Sequence, residues 1–309
     1  MLEYDRNLGA KPFLKWAGGK SQLLSTIEER FPSEIKESLK IEKYFEVFVG
    51  GGALYFHLMN HYDVKEAYLY DINQELILTY NVIKNNPKEL IKLLSDLQDE
   101  YIPMAQDDRK EFYLKVRSTF NLDSNDFDYE NYSDAHVVRA SQVIFMNKTC
   151  FNGLFRLNRS GKFNVPHGRY KKPLICDETN IKAVSKTLKH THIIQGNYFE
   201  SEDLIDENSL VYLDPPYRPL SNKSSFTTYA GFEFTDEHQI ELGGFYKRIS
   251  DKGAKAILSN SDPKNEDVND NFFDDLYKDF TIERVQAKRS INSNGKKRGL
   301  INEILVTNY

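Results

Sequence analysis

The residues best suited to chemistry lie where Leu210-Val211-Tyr212-Leu213 runs into Asp214-Pro215-Pro216-Tyr217. The apolar run predicts a buried strand. Two prolines cannot continue a central strand, so the chain must leave the sheet there with Asp214 at its carboxyl edge. Proline also presents its carbonyl stiffly and has no N–H to compete with it. Such an edge suits a planar amine whose lone pair is tied up in ring conjugation. Asp214 and the Pro215 carbonyl can accept its two hydrogens, which frees the lone pair toward an electrophile, while Tyr217 stacks on the ring. A base held in a duplex would first have to be flipped out.

A second constellation is Tyr44-Phe45-Glu46-Val47-Phe48-Val49 followed by Gly50-Gly51-Gly52 and then an apolar helix start. Glycine permits both a tight turn and the close backbone approach that a nucleoside cofactor needs after a first strand. Asp71 closes the next apolar run, 20 residues beyond Gly51, at the spacing of an acid that accepts hydrogen bonds from ribose hydroxyls. Gly50 and Gly52 fit the dinucleotide fingerprint, but Tyr55 stands where its third glycine belongs, which disfavours NAD. Lys15-Trp16-Ala17-Gly18-Gly19-Lys20-Ser21 ends like a phosphate loop yet has Leu14 where that loop needs its first glycine. What remains is an aromatic to cover one face of a purine and a lysine to reach a carboxylate.

Short runs rich in β-branched and aromatic residues predict the strands that carry these groups: Tyr44–Val49, Ala67–Tyr70, His192–Gln195, Leu210–Leu213, Lys255–Ser259, Phe280–Ala287 and Glu303–Thr307. Helix-period segments at Gln22–Phe31, Leu54–Tyr62, Gln74–Asn85 and Asp236–Ser250 alternate with them. That alternation predicts a doubly wound α/β fold with a mostly parallel sheet. The stretch 87–190 is polar, helix-period and without a strand series, so it reads as an inserted helical domain. Residues 1–86 and 191–309 would then form one discontinuous α/β domain. Asn121–Asp134 is acidic and turn-rich enough to be a mobile loop.

The chain has 309 residues, 40% hydrophobic and 28% charged, with 20 Phe and 19 Tyr, so it has ample apolar area for a core and is not intrinsically disordered. No apolar run approaches the ~18 residues of a membrane span. Residues 1–16 show no signal-peptide pattern, and Cys150 and Cys176 make no metal spacing and are expected to be reduced thiols. These features predict a cytoplasmic protein without a metal. The net charge of -5 argues against a surface that grips nucleic acid everywhere. Yet residues 135–176 carry +8 with no acid and residues 284–302 carry +6 with no acid, leaving -19 on the rest. Each tract is either a phosphate-contacting surface or a solvated face.

Taken together and in this order, Phe13–Ser21, Phe48–Gly52, Asp71 and Asp214–Tyr217 resemble the amino-methyltransferases that use S-adenosylmethionine. The order of cofactor turn, inserted domain and Asp-Pro-Pro-Tyr is that of the alpha-group DNA adenine methyltransferases. The tracts Asn147–Asn158 and Gly161–Tyr170 are similar to the recognition tract of Dam-type enzymes, including the methylases of GATC restriction-modification systems. The resemblance implies a Rossmann-like methyltransferase fold and methyl transfer to N6 of adenine in GATC of double-stranded DNA. A cognate restriction endonuclease would act alongside without stable binding. It also implies that Asp214, Pro215, Pro216 and Tyr217 form the catalytic turn. Trp16, Lys20, Phe48, Gly50, Gly52, Asp71, Phe199 and Asp214 would contact the cofactor. Lys15, Phe151, Asn152, Leu154, Arg156, Asn158, Pro166 and Arg169 would contact DNA. Within that tract Arg156 suits bidentate contact with guanine, Leu154 and Pro166 suit a thymine methyl, and Phe151 suits a wedge beside a flipped base. Asn197-Tyr198-Phe199 stands where the family usually has Gly-Asp-Phe, and Ser221–Tyr229 resembles its flexible substrate loop. The rivals are a cytosine-N4 methyltransferase, whose family usually has Ser in place of Asp214, a catalytically idle DNA-binding module, and an enzyme acting on RNA.

Overall fold

The structure, a computed structural model, describes residues 8–123, 127–158, 160–218, 228–229, 232–288 and 300–309. Nine strands are present among them: β1 (Lys40–Glu46), β2 (Asp63–Asp71), β3 (Thr191–Gln195), β4 (Ser209–Leu213), β5 (Thr228–Tyr229), β6 (Phe232–Glu233), β7 (Lys255–Ser261), β8 (Thr281–Lys288) and β9 (Leu300–Thr307). The helices are α1 (Leu24–Glu28), α2 (Ser33–Ser38), α3 (Ala53–His61), α4 (Gln74–Asn85), α5 (Pro87–Tyr101), α6 (Gln106–Asp123), α7 (Asp134–Thr149), α8 (Glu178–Leu188), α9 (Asp236–Asp251) and α10 (Phe272–Leu276).

Seven strands form one sheet in the order β3-β2-β1-β4-β7-β9-β8. β1 runs parallel to both β2 and β4, and β4 parallel to β7, while β9 is antiparallel to β7 and β8. The fold is therefore the expected mostly parallel α/β type, consistent with a Rossmann-like methyltransferase. Strand order reverses at β1, the kind of switch point outside whose strand ends open α/β sheets bind ligands.

The chain divides into two compact units, Met1–Gly19, Gly50–Asn60 and Asp71–Gln195, and Lys20–Val49, His61–Tyr70 and Gly196–Tyr309. In the first, α7 is the central helix, and nine of its apolar and small polar residues join His136 and Arg139 in being buried. Helices α4, α5 and α6 pack on it. Ser133 opens α7 with a capping box, its N–H donating to His136 Nδ1 at 3.2 Å. In the second unit, β4 is buried along its whole length, and α9 covers β7 with Leu242, Phe245, Tyr246 and Ile249. Among the described residues no helix is long and apolar enough to cross a membrane.

Several boundaries differ from the sequence pattern for identifiable reasons. The helix expected over Gln22–Phe31 is regular only at α1, because Arg30 and Phe31 bond three residues back and Pro32 follows. β1 starts four residues before the expected Tyr44, at charged Lys40-Ile41-Glu42-Lys43, and its pairing with β2 overrides their weak strand preference. The expected loop Asn121–Asp134 lies partly outside the described residues. Asn121–Asp123 are the last turn of α6, and Tyr129 OH and Tyr132 OH donate to Glu75 Oε1 and Asn86 Oδ1, both at 2.6 Å.

Candidate active site and recognition surface

In the second unit the carboxyl ends of β1 and β4 lie side by side, Val47 N–H donating to the Tyr212 carbonyl at 3.4 Å. Phe48 and Asp214 leave the sheet from these ends. Asp214 Oδ1 receives Lys20 Nζ at 2.7 Å and Ser259 Oγ–H at 2.9 Å, and Ser259 Oγ lies 3.0 Å from Tyr212 OH. Among the described residues no donor reaches Oδ2. The carboxylate is thus fixed through one oxygen and open through the other. Burial raises its pKa above the usual carboxylate range, against the opposing pull of Lys20 and Ser259.

Lys20 Nζ also lies 4.4 Å from the Tyr217 ring centroid, and Tyr217 OH donates to Glu303 Oε2 at 2.5 Å. Burial raises the Glu303 pKa in turn. The turn is held further along. Gln239 Nε2 donates to the Pro216 carbonyl at 3.1 Å, and Arg218 pairs with Asp236 at 2.7 Å and Asp270 at 2.6 Å with its guanidinium over Phe272. Phe48 packs against Tyr198 and Phe234, with ring centroids 5.4 and 6.1 Å away. Phe199 is 53% exposed and meets Tyr198 edge-on, so Tyr198 is the aromatic that stands against Phe48.

In the first unit the glycine turn has the predicted character. Gly50 has φ +47°, and a side chain there would meet the Trp16 indole at 2.8 Å. Gly52 has φ +67°, and a Cβ there would meet Tyr80 OH at 2.6 Å. Asp71 Oδ2 accepts from Gly50 N–H at 3.0 Å and Oδ1 from Asn73 N–H at 2.9 Å. The acid therefore shapes the turn as well as closing β2, and it is 3% exposed.

The recognition tract follows α7 in the same unit. Phe151 N–H donates to the Pro166 carbonyl at 2.8 Å, which brings the expected wedge beside an expected thymine contact. Phe151 is 53% exposed, and Pro166, Arg156 and Arg169 are exposed with it, whereas Leu154 is half-buried. Asn152 and Arg169 hold positive φ, 60° and 54°. Arg156 Nε donates to Asn164 Oδ1 at 2.9 Å. The Asn158 side chain is engaged within its own turn, where Oδ1 accepts from Ser160 N–H, Ser160 Oγ–H and Lys162 N–H. Lys15 is exposed, its backbone N–H and carbonyl both bonded to the Asn147 side chain at 2.9 Å.

Residues 16–291 match the family profile of the D12 class N6 adenine-specific DNA methyltransferases. The chain belongs to that family. It is similar to the type II methyltransferase M.MjaIII of Methanocaldococcus jannaschii, with 50% identity over 97% of this chain and 99% of that protein. It is similar to the type II methyltransferase M1.LlaDCHI of Lactococcus lactis subsp. cremoris, with 38% identity over 100% and 99%. It is also similar to the DNA adenine methylase of Escherichia coli strain K12, with 32% identity over 96% and 94%. This adenine-specific methyltransferase thus has DNA as its substrate.

In the enzyme, the structure brings Lys20, Asp214 and Tyr217 together in one unit, and Trp16, Gly50 and Asp71 together in the other. The residues expected to contact DNA lie in the same unit as Trp16 and Gly50. Ser259, Gln239 and Glu303 join the site although no sequence motif points to them. Their signal is polar residues within strand or helix positions that should be apolar: Ser259–Asp262 and Gln239 are buried, and Glu303 interrupts the run Leu300–Thr307.

The +8 tract is smaller on the surface than in the sequence. Arg139 is buried against Glu75, and Lys148 is half-buried, with burial holding its pKa below the usual lysine range. Arg156, Lys162, Arg169, Lys171 and Lys172 remain exposed. In the second tract Arg284 pairs with Asp262 at 3.1 Å and Asp274 at 2.7 Å, while Arg289 and Lys296–Arg298 lie outside the described residues, as do residues 221–227 of the expected substrate loop. Cys150 is buried, and its thiol is pushed up to about 12 by burial, which makes it an unreactive core residue.

Proposed function

We propose that this chain transfers a methyl group from S-adenosylmethionine to N6 of adenine within GATC of double-stranded DNA, after flipping the base toward Asp214–Tyr217. The open Oδ2 of an Asp214 carboxylate anchored through Oδ1 carries this reading. In the catalytic domain, residues 1–86 and 191–309, Trp16, Lys20, Phe48, Gly50, Gly52, Asp71, Phe199 and Asp214 bind the cofactor. Residues 87–190 form the recognition domain, where Lys15 of the catalytic domain joins Phe151, Asn152, Leu154, Arg156, Asn158, Pro166 and Arg169 on the DNA. The glycine turn against Trp16 fits a purine nucleoside: glycine φ and the 2.8 Å approach leave no room for a side chain at Gly50.

When bound, S-adenosylmethionine supplies an electrophilic methyl on a sulfonium that leaves as a neutral thioether. No acid is then required of the protein, and the methylated nitrogen, positively charged at first, loses one of its two protons to solvent to give the neutral product. Asp214 Oδ2 and the Pro215 carbonyl accept the two amino hydrogens and draw the nitrogen lone pair out of conjugation, Pro216 stiffens the turn, and Tyr217 stacks on the base. Rate comes from this positioning and from acceptors fixed before the reaction. A cognate restriction endonuclease would act on the same site without stable binding to this chain. A cytoplasmic location accompanies a substrate that is the cell's own DNA.

Labelled methyl from S-adenosylmethionine should appear on N6 of adenine in a duplex containing GATC and not in one of equal composition with that site scrambled. Label in both duplexes removes the GATC assignment. Label in neither leaves an idle DNA-binding module or an RNA substrate. Within the site, Arg156→Ala should cost ~1–3 kcal/mol of discrimination at one base pair and relax specificity there. Measured by kcat/KM on single-base variants of GATC, an equal loss on every sequence would make Arg156 a phosphate contact instead.

A further inference from the structure

The Trp16 indole has two close neighbours in the first unit. One is Gly50, so close that a Cβ would clash. The other is Phe155, whose ring is stacked on the indole with centroids 5.3 Å apart and planes at 19°. Phe155 is part of the recognition tract. Its ring meets Phe163 edge-on at 5.5 Å, and Phe163 meets Phe120 of α6 at 6.4 Å. Aromatic contacts therefore run without a break from the glycine turn through Trp16 and the tract to the helical core.

The backbone beside Trp16 is tied to the same tract. Asn147 Oδ1 accepts from Lys15 N–H, and its Nδ2 donates to the carbonyls of Lys15 and Gly153, all at 2.9 Å. Gly153 has φ +64°, and a Cβ there would meet the Lys15 side chain at 2.9 Å. A shift of Lys15–Trp16 against Phe151–Phe155 would thus break the ring stack and either the two hydrogen bonds that join Asn147 to Lys15 or the one that joins it to Gly153.

We infer that Phe155 is a positioning residue: by holding the Trp16 indole, it makes duplex binding at the recognition tract and cofactor binding at Trp16 strengthen each other. This rests on the reading that Trp16 covers the cofactor and that the tract meets DNA. A ligand that orders one end of a stacked pair lowers the ordering cost at the other, and the resulting coupling is reciprocal by linkage. A residue that only filled the core would change folding stability and leave the ratio of affinities alone.

The test is calorimetric titration of the full chain with S-adenosylhomocysteine, which permits no turnover, with and without a saturating GATC duplex. In the unmodified enzyme the duplex should tighten S-adenosylhomocysteine at least about fivefold, within the usual range of allosteric couplings. In Phe155→Ala the ratio should fall below about twofold, and Phe155→Tyr, which keeps a stacking face, should restore it. Should the alanine variant not fold, Phe155→Leu, which keeps apolar bulk without a ring face, gives the same reading. A ratio near one in the unmodified enzyme, or an unchanged ratio in the alanine or leucine variant, overturns the inference alone. No S-adenosylhomocysteine binding with or without duplex overturns the reading of the cofactor turn, and the inference with it.

Discussion

Asp214→Ala should lower kcat on a GATC duplex about 10³-fold while leaving the duplex Kd within a few-fold, a loss of about 4 kcal/mol in the barrier alone. The separation follows from where the residue sits. Duplex affinity comes mainly from phosphate contacts, which the exposed basic residues Arg156, Lys162, Arg169, Lys171 and Lys172 can supply. Asp214 is held by Lys20 and Ser259 at the end of β4. Its removal deletes an acceptor fixed before the reaction, the kind of group whose loss typically costs 10²–10³-fold. The sign of the pH dependence follows too. The carboxylate must be unprotonated to accept, and burial raises its pKa, so kcat should fall on acidification at a pH above the usual carboxylate range. Lys20 opposes that rise, so Lys20→Met should move the acid limb further toward neutrality. Rates at saturating substrate across pH, with circular dichroism to confirm folding, give the measurement. Near-normal turnover in the alanine variant would sink the catalytic assignment of this turn.

The geometry of the glycine turn and of the Asp214–Tyr217 turn was legible because their residues are scarce and ordered. Two prolines end a strand wherever they occur, and glycines at φ +47° and +67° admit no common substitute, so residue type alone fixes the local geometry at Gly50, Gly52 and Asp214–Pro216. Partners distant in sequence were not legible. Glu303 lies 86 positions from Tyr217, and Ser259 lies 45 from Asp214, and only the pairing of β4 with β7 and β7 with β9 brings these strands together. Charge counting failed in a related way. It left Arg139 and Arg284 as either phosphate contacts or solvated charges, because a sequence window cannot show that an acid 64 positions away, or two acids 10 and 22 away, already engage them. Nothing in the sequence around Asn158 shows that its Oδ1 accepts three hydrogen bonds within its own turn.

Arg139 therefore supports a prediction about stability rather than about DNA. It is 1% exposed and Glu75 is 6% exposed. Its Nε lies 2.9 Å from Glu75 Oε2, and its Nη2 pairs with Oε1. Tyr129 OH donates to the same carboxylate at 2.6 Å, and the guanidinium lies 4.1 and 4.7 Å from the ring centroids of Phe120 and Phe127. The pair joins α4 to α7, the central helix of its unit. Removing one partner leaves a buried charge uncompensated, so Arg139→Leu should cost ~3–5 kcal/mol of unfolding free energy. Replacing both, as in Glu75→Leu with Arg139→Leu, removes the desolvation cost along with the attraction. The double variant should lie well above the single one in stability, within about 2 kcal/mol of the unmodified chain. Denaturant titration of the three proteins reads this directly. Arg139 should also leave the salt dependence of duplex binding unchanged in the double variant, since a guanidinium enclosed by Glu75, Phe120 and Phe127 releases no counterions from DNA. A shallower salt slope there would return Arg139 to the phosphate-contacting surface from which its burial removes it.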